Sequence, residues 1–144
     1  MTKREVVASS RRLAMDVPAD SREVSLGIPA KPEYLVLVRL ALSAVCRLTP
    51  LGPDEVADLK LAVTEAATSR VQPDQPGDDE SPELRVGMRL EEDRLEVTLR
   101  GGASSAVPDE ERELSRAIIE ATVDRFQDAL DSTLLVKQLA ASPG

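Results

Sequence analysis

The sequence predicts one domain of the α+β class, a two-layer sandwich whose helices cover one face of a mixed or antiparallel sheet. A chain of 144 residues with 42% hydrophobic content is enough for one core but not for two. Some segments have an apolar residue at every second position, as strands do, and others have apolar residues at helical spacing. They follow in the order strand, helix, helix, strand, strand, helix, strand, strand. We assign residues 23–140 to this domain and predict that residues 1–22, which lack a sustained period, form a flexible arm.

The first half of the domain is predicted to hold one strand and two helices. Every second residue is apolar over residues 23–29, which is typical of a half-buried strand. A helix follows over residues 34–48, since Pro32 suits a first turn and Glu33 adds a negative charge there. A second helix is expected over residues 53–71.

The second half is predicted to hold the remaining strands and one helix. Residues 72–83 contain three prolines and several acids, so we expect an exposed loop, either a lid or a merely solvated segment. A hairpin is predicted over residues 84–99, a helix from residue 109, and a closing strand over residues 133–139. The predicted apolar face of that helix comprises Leu114, Ala117, Ile118 and Ala121.

Composition excludes several kinds of function. The chain has no histidine, which rules out Ser-His-Asp triads, histidine-ligated metals and phosphohistidine. Its single cysteine, Cys46, forms neither an internal disulfide nor a zinc site and is predicted to be a core residue. The net charge of -8 and the presence of only one tyrosine and one phenylalanine argue against binding to nucleic acid or to an anionic membrane. Proteins are the expected partners.

A cytoplasmic location is expected from two features of the sequence. No stretch approaches the roughly 18 apolar residues that a membrane span requires. The first 30 residues carry charges where a secretory signal has its apolar centre.

Residues 59–71 hold the most informative motif. As a helix, they would bury one apolar face and carry Glu65 at its rim. The stretch resembles the N-box helix of the histidine-kinase-like (GHKL) ATPases, specifically the anti-sigma-factor serine kinases of the RsbW and SpoIIAB type, whose pattern is Lys-Leu-Ala-Val-x-Glu-Ala-x-Thr-Asn-Ala-Val. Residues 28–30 and 93–97 also resemble this family, and the element order matches the GHKL, or Bergerat, fold. The predicted buried face comprises Leu59, Ala62, Val63 and Ala66.

The resemblance implies a catalytic role for Glu65 and a magnesium site at Ser69. In the family, the N-box glutamate polarises the target serine hydroxyl, and the asparagine one turn later holds magnesium on the ATP phosphates. Glu65 matches the glutamate, whereas Ser69 stands at the asparagine position and its neighbour is Arg70. A serine hydroxyl ligates magnesium in other phosphate sites. Glu65 is therefore either a catalytic base or an ordinary solvated helix residue.

The other nucleotide-binding residues of the family are altered. The aspartate that contacts adenine, in an Asp-x-Gly-x-Gly segment, falls on Leu99, the first glycine on Gly101 and the second on Ala103. Leucine has no acceptor for the adenine amino group. The glycine-rich phosphate segment corresponds to residues 111–114, which include two acids. Gly101 remains a candidate nucleotide contact, although a Gly-Gly pair is also typical of a turn. We therefore expect no cofactor, with ATP and Mg²⁺ required only if the kinase is active.

The first helix is the predicted partner-binding element. It is apolar nearly all round, so one side should pack on the sheet and the other should meet a neighbour, with Leu37 and Leu40 on that second side. In the similar kinases, an arginine of this helix takes part in binding the sigma factor, and Arg39 matches it. An arginine whose head is simply solvated is the alternative.

The resemblance implies three possible functions. The leading hypothesis is a homodimeric anti-sigma factor that sequesters an RNA polymerase sigma subunit and is released by a STAS-domain anti-anti-sigma protein. The second is an active serine/threonine kinase that phosphorylates that STAS partner through Glu65 and Ser69. The third is a regulatory subunit that pairs with an active homologue instead of forming a homodimer.

Overall fold

A computed structural model describes residues 21–72, 82–103 and 108–139 of the chain. Nearly all of the predicted arm lies outside the described residues, as do residues 73–81 of the predicted acidic loop. The two described ends of that loop meet at Ala30. The amide of Ala30 donates to the carbonyl of Pro82 at 2.9 Å, and the amide of Gln72 donates to the carbonyl of Ala30 at 3.0 Å.

The sheet has five strands, and every described pair is antiparallel. The strands lie in the order β1-β2-β3-β5-β4, so the hairpin of β2 and β3 is central and the last strand of the chain inserts between β3 and β4. The predicted α+β sandwich is confirmed, in its antiparallel form. The strands are β1 (Ser21–Pro29), β2 (Glu83–Glu91), β3 (Arg94–Gly101), β4 (Arg125–Asp128) and β5 (Ser132–Gln138).

Three α-helices accompany the sheet in the described ranges, and none of them is long and apolar enough to cross a membrane. A 3-10 turn at Pro32–Tyr34 leads into the first, since proline cannot supply an amide to the helix interior. In the second, the Glu55 side chain accepts from the amide of Gly52 at 3.2 Å and caps the helix start. The helices are α1 (Leu35–Cys46), α2 (Pro53–Thr68) and α3 (Asp109–Thr122).

The core lies between the inner face of the sheet and the helices α1 and α2. Alternate residues of β2 and β3 are buried, whereas those between them are exposed or half-buried, as expected for a sheet covered on one face. The predicted buried face of α2 is confirmed in full. On α1 the buried stripe is Leu35, Val38, Leu42, Val45 and Cys46, which confirms the core position predicted for the cysteine.

The structure differs from the predictions in three places. β1 begins two residues earlier than expected, because Ser21 and Arg22 pair with β2. α2 ends at Thr68, so the last residues of its motif leave the helix. The predicted apolar face of α3 is wrong, since Ile119 is its buried residue and Leu114 is 62% exposed. α3 packs mainly against α2 and less against β4, which leaves room for few buried side chains.

Candidate functional site

A cleft of about 380 Å³ lies between α2 and α3 and is the candidate functional site. Glu65 and Ser69 both line it, as the spacing of four residues predicts for one side of a helix. Charged groups of both signs surround the cleft, and its floor reaches the sheet. The lining also includes Thr68, Glu111, Arg112, Arg116, Phe126, Asp128 and Thr133.

Ser69 is held by its own helix. Its hydroxyl donates a hydrogen bond of 2.8 Å to the carbonyl of Ala66, so it bonds the last turn of α2 rather than another element. Among the residues described by the structure, no group of three or more histidine, cysteine, aspartate or glutamate side chains is arranged as a metal site.

Arg70, for which the sequence predicted no role, forms several hydrogen bonds within the protein near the cleft. It is only 8% exposed. Its Nε and Nη2 donate to the Thr133 hydroxyl at 3.1 and 2.7 Å, and its Nη1 donates to the Gly101 carbonyl at 3.0 Å. Nη2 also lies 3.5 Å from the Ala129 carbonyl and 3.8 Å from Oδ1 of Asp128. All three guanidinium nitrogens therefore have acceptors inside the protein.

These contacts place the guanidinium against Thr133, the cross-strand partner of Leu99. Leu99 and Thr133 are directly opposite each other on β3 and β5, and both are buried. Directly opposed side chains of antiparallel strands lie about 5 Å apart. The Thr133 hydroxyl in turn donates to Asp128 at 2.7 Å. Leu99, the position that the resemblance predicts to match the adenine-contacting aspartate, is thus buried opposite a threonine that bonds a buried cation.

A signal for Arg70 was available in the sequence. Residues 63, 66, 67 and 70 share one side of a helix, and the first three are apolar residues of the buried face. A charged residue that continues a buried face is uncommon and requires partners. The sequence did not identify those partners, because Gly101, Asp128 and Thr133 lie 31 to 63 residues further along the chain.

Gly101 and Gly102 form a tight turn packed against Arg70. Both have positive φ, of 72° and 84°, which favours glycine. The amide of Gly102 donates to the carbonyl of Glu83 at 2.9 Å, and the amide of Ala103 donates to the carbonyl of Arg70 at 2.7 Å. A Cβ atom on Gly102 would lie 2.4 Å from the same Arg70 carbonyl. Close backbone packing therefore accounts for the glycine at this position.

The outer side of α1, defined as Val36, Leu37, Arg39 and Leu40, faces solvent. Leu37 is 41% exposed and Leu40 is 61% exposed. Arg39 lies between these leucines in the sequence and is also exposed. The structure therefore separates the three predicted partner-binding residues from the cleft residues and puts them together on one helix.

The opposite side of α1 carries the buried thiol. Burial raises the pKa of Cys46, and the positive charge of Lys60 offsets only part of that rise. The thiol therefore stays protonated at neutral pH.

The decisive comparison is with protein families. A profile of the histidine kinase-like ATPase domain matches residues 28–125, which is more than half of the chain. The chain belongs to this family. The resemblance inferred from the N-box motif is thus confirmed, and the match extends from the end of β1 to the beginning of β4.

Individual relatives of this family member carry the name serine-protein kinase RsbW. That of Bacillus licheniformis is 36% identical over 106 residues, which cover 73% of this chain and 66% of the relative. That of Bacillus subtilis is 34% identical with the same coverage, and that of Listeria monocytogenes is 37% identical over 83 residues, or 52% of its length. The chain thus matches less than two thirds of the length of these relatives.

Proposed function

We propose that this protein is an anti-sigma regulatory factor that binds an RNA polymerase sigma subunit and is released by a STAS-domain anti-anti-sigma protein. In this proposal the protein is a homodimer and acts without ATP or Mg²⁺. The observation that carries it is the exposed apolar outer side of α1 in a chain similar to RsbW kinases. The similarity supplies the class of partner, and the exposed surface supplies a place for it to bind.

The chemistry of the outer side of α1 suits a protein interface. Leucine side chains around an arginine combine apolar area with a group that forms several hydrogen bonds, and arginine is enriched among residues that dominate binding energy. Elsewhere the chain is acidic, with a net charge of -8. That charge favours association with a partner that carries a basic surface.

ATP is left out of the proposed function because of residues in and beside the cleft. Leu99, which the resemblance places at the position of the adenine-contacting aspartate, is buried and has no acceptor for adenine, and the Arg70 guanidinium bonds Thr133, which lies opposite Leu99. Within the cleft, Glu111 puts a negative charge in the first turn of α3, close in sequence to the positive Arg112 and Arg116. The missing adenine acceptor is the main reason why no step of the proposed function involves ATP with magnesium.

Calorimetric titration with purified sigma subunits from the source organism tests the partner. We expect Leu40→Asp to weaken binding at least about 30-fold, which is about 2 kcal/mol, and Arg39→Ala to weaken it by a smaller factor. Leu114→Asp is the matched control, because Leu114 is 62% exposed and lies on α3. Equal affinity of the two aspartate variants would contradict the proposed binding surface.

A thermal-shift titration with millimolar ATP and magnesium tests the cofactor. A ligand that binds only the folded state raises the melting temperature. Because the proposed function involves no ATP, we expect no shift for the wild-type protein.

Light scattering after size exclusion measures whether the protein is a homodimer.

An active serine/threonine kinase is the second candidate. The observations in its favour are that Glu65 and Ser69 line the same cleft and that the relatives are named serine-protein kinases. Transfer of labelled phosphate from ATP to a STAS-domain protein, with loss of that transfer in Glu65→Gln, would replace the first proposal with this one.

A further inference from the structure

We propose that Arg70 is an internal substitute for a ligand: its guanidinium occupies the recess at which β3, β5 and the end of α2 meet, and it excludes a nucleotide from that recess. The inference rests on the proposed function, because it gives a physical reason why the protein would act without ATP. That reason is the position of a single side chain, that of Arg70.

The guanidinium is bound as a separate cationic ligand would be. Its acceptors come from two places in the sheet, the end of β3 at Gly101 and the segment from Asp128 to Thr133 that joins β4 to β5. The side chain itself starts just beyond α2. It therefore connects three elements that approach each other only in the tertiary structure.

A cation is buried without a large energetic cost only when hydrogen-bond acceptors of the protein replace the water molecules that it loses. Here each of the three nitrogens has at least one acceptor, supplied by the Thr133 hydroxyl and the carbonyls of Gly101 and Ala129, and the Asp128 carboxylate forms an ion pair at 3.8 Å. Asp128 also accepts from the Thr133 hydroxyl, which orients that hydroxyl so that its lone pairs face the arginine. The charge of the guanidinium is thus compensated within the protein, without any added molecule.

The backbone of Arg70 is packed against the glycine turn. Its carbonyl accepts from the amide of Ala103, and Gly102 approaches the same carbonyl closely. A ligand that entered beside Leu99 and Thr133 would have to displace the guanidinium and then compensate the acceptors it leaves. The family pattern has alanine at this position, which carries no charge and is much shorter than arginine.

The first test compares Arg70→Ala with Arg100→Ala, which removes an exposed arginine of β3. We expect the Arg70 variant to lose about 10 °C in melting temperature and the Arg100 variant about 1 °C. Amide exchange at residues 101–103 should accelerate roughly tenfold or more in the Arg70 variant alone. Wild-type exchange rates in Arg70→Ala would overturn the proposal.

Thr133→Val serves as a second variant if Arg70→Ala does not fold. It keeps the arginine and the side-chain shape but removes the hydroxyl that accepts two of its hydrogen bonds. We expect faster exchange at residues 101–103 here too, by roughly threefold or more. Unchanged exchange in this variant would also overturn the proposal.

The second test asks whether Arg70 excludes a nucleotide. The double variant Arg70→Ala with Leu99→Asp carries the residues of the kinase pattern at both positions, and Leu99→Asp alone retains the arginine. We expect the double variant to bind ATP at least about tenfold more tightly than the single variant in calorimetry. Equal affinity, including no binding by either, would overturn the exclusion.

The wild-type protein is titrated in parallel. Binding of ATP by the wild type would overturn the proposed function itself. Absence of wild-type binding, together with equal behaviour of the single and double variants, would overturn only the role assigned to Arg70.

Discussion

The end of α2 and the outer side of α1 contrast in how they place polar and apolar groups. At the end of α2, an arginine is buried and each of its nitrogens has an acceptor within the chain. On the outer side of α1, leucines are exposed to solvent. Polar groups usually lie at the surface and large apolar patches are usually covered, so a buried polar group and an exposed apolar patch are the exceptions that indicate function. The buried arginine finds its hydrogen-bond acceptors within the chain, whereas the exposed leucines leave water only when another surface covers them.

The largest expected effect is a difference in unfolding free energy between substitutions on the two sides of α1. Leu42 is fully buried and Leu40 is 61% exposed on the same helix. We expect Leu42→Ala to lower the free energy of unfolding by about 3 kcal/mol, because it leaves a cavity in the core, and Leu40→Ala by less than about 0.5 kcal/mol. Urea denaturation measures both. Similar losses in the two variants would mean that the outer side is already packed within the folded chain.

A smaller effect is expected where the glycine turn meets Arg70. Gly102→Ala should cost about 2 kcal/mol of unfolding free energy, since φ is positive and the added Cβ would lie 2.4 Å from the Arg70 carbonyl. Gly87→Ala is the control, because a Cβ there has no neighbouring atom within 4 Å. We expect the control to be neutral or slightly stabilising in the same urea titration. A neutral Gly102→Ala would show that the turn does not pack against Arg70.

The smallest effect concerns the inner side of α1. Because burial raises the pKa of Cys46, the native protein should hold less thiolate at pH 8 than the unfolded chain, and iodoacetamide should modify it at least roughly tenfold more slowly. The difference should be lost when urea unfolds the protein. The raised pKa also means that deprotonation favours the unfolded state, so stability should fall as pH rises past the ordinary thiol pKa of about 8.5. Equal modification rates would contradict the buried position.

The sequence predicted elements well where hydrophobic periodicity was strong. It anticipated the buried face of α2, since the apolar residues there repeat at helical spacing over several turns. It failed on α3, whose apolar residues are few and scattered among acids. There the packing against α2 decided that Ile119, not Leu114, would be buried.

The candidate site was predictable only in part. The motif placed Glu65 and Ser69 on one side of a helix, and the structure has both at one cleft. The resemblance also implied that Leu99 stands in place of an aspartate, but it did not indicate which residues surround it. Arg70 appeared only as a neighbour of an altered position, because its acceptors come from β3 and from the β4–β5 connection.

The sequence by itself determined the family, the order of strands and helices, and the exclusion of histidine chemistry, because these depend on residue identity and on local periodicity. Only the tertiary structure decided that β5 lies between β3 and β4. That insertion sets Thr133 opposite Leu99 and within hydrogen-bonding distance of Arg70. Pairing between strands more than 30 residues apart is set by packing of the whole core, and local patterns do not encode it.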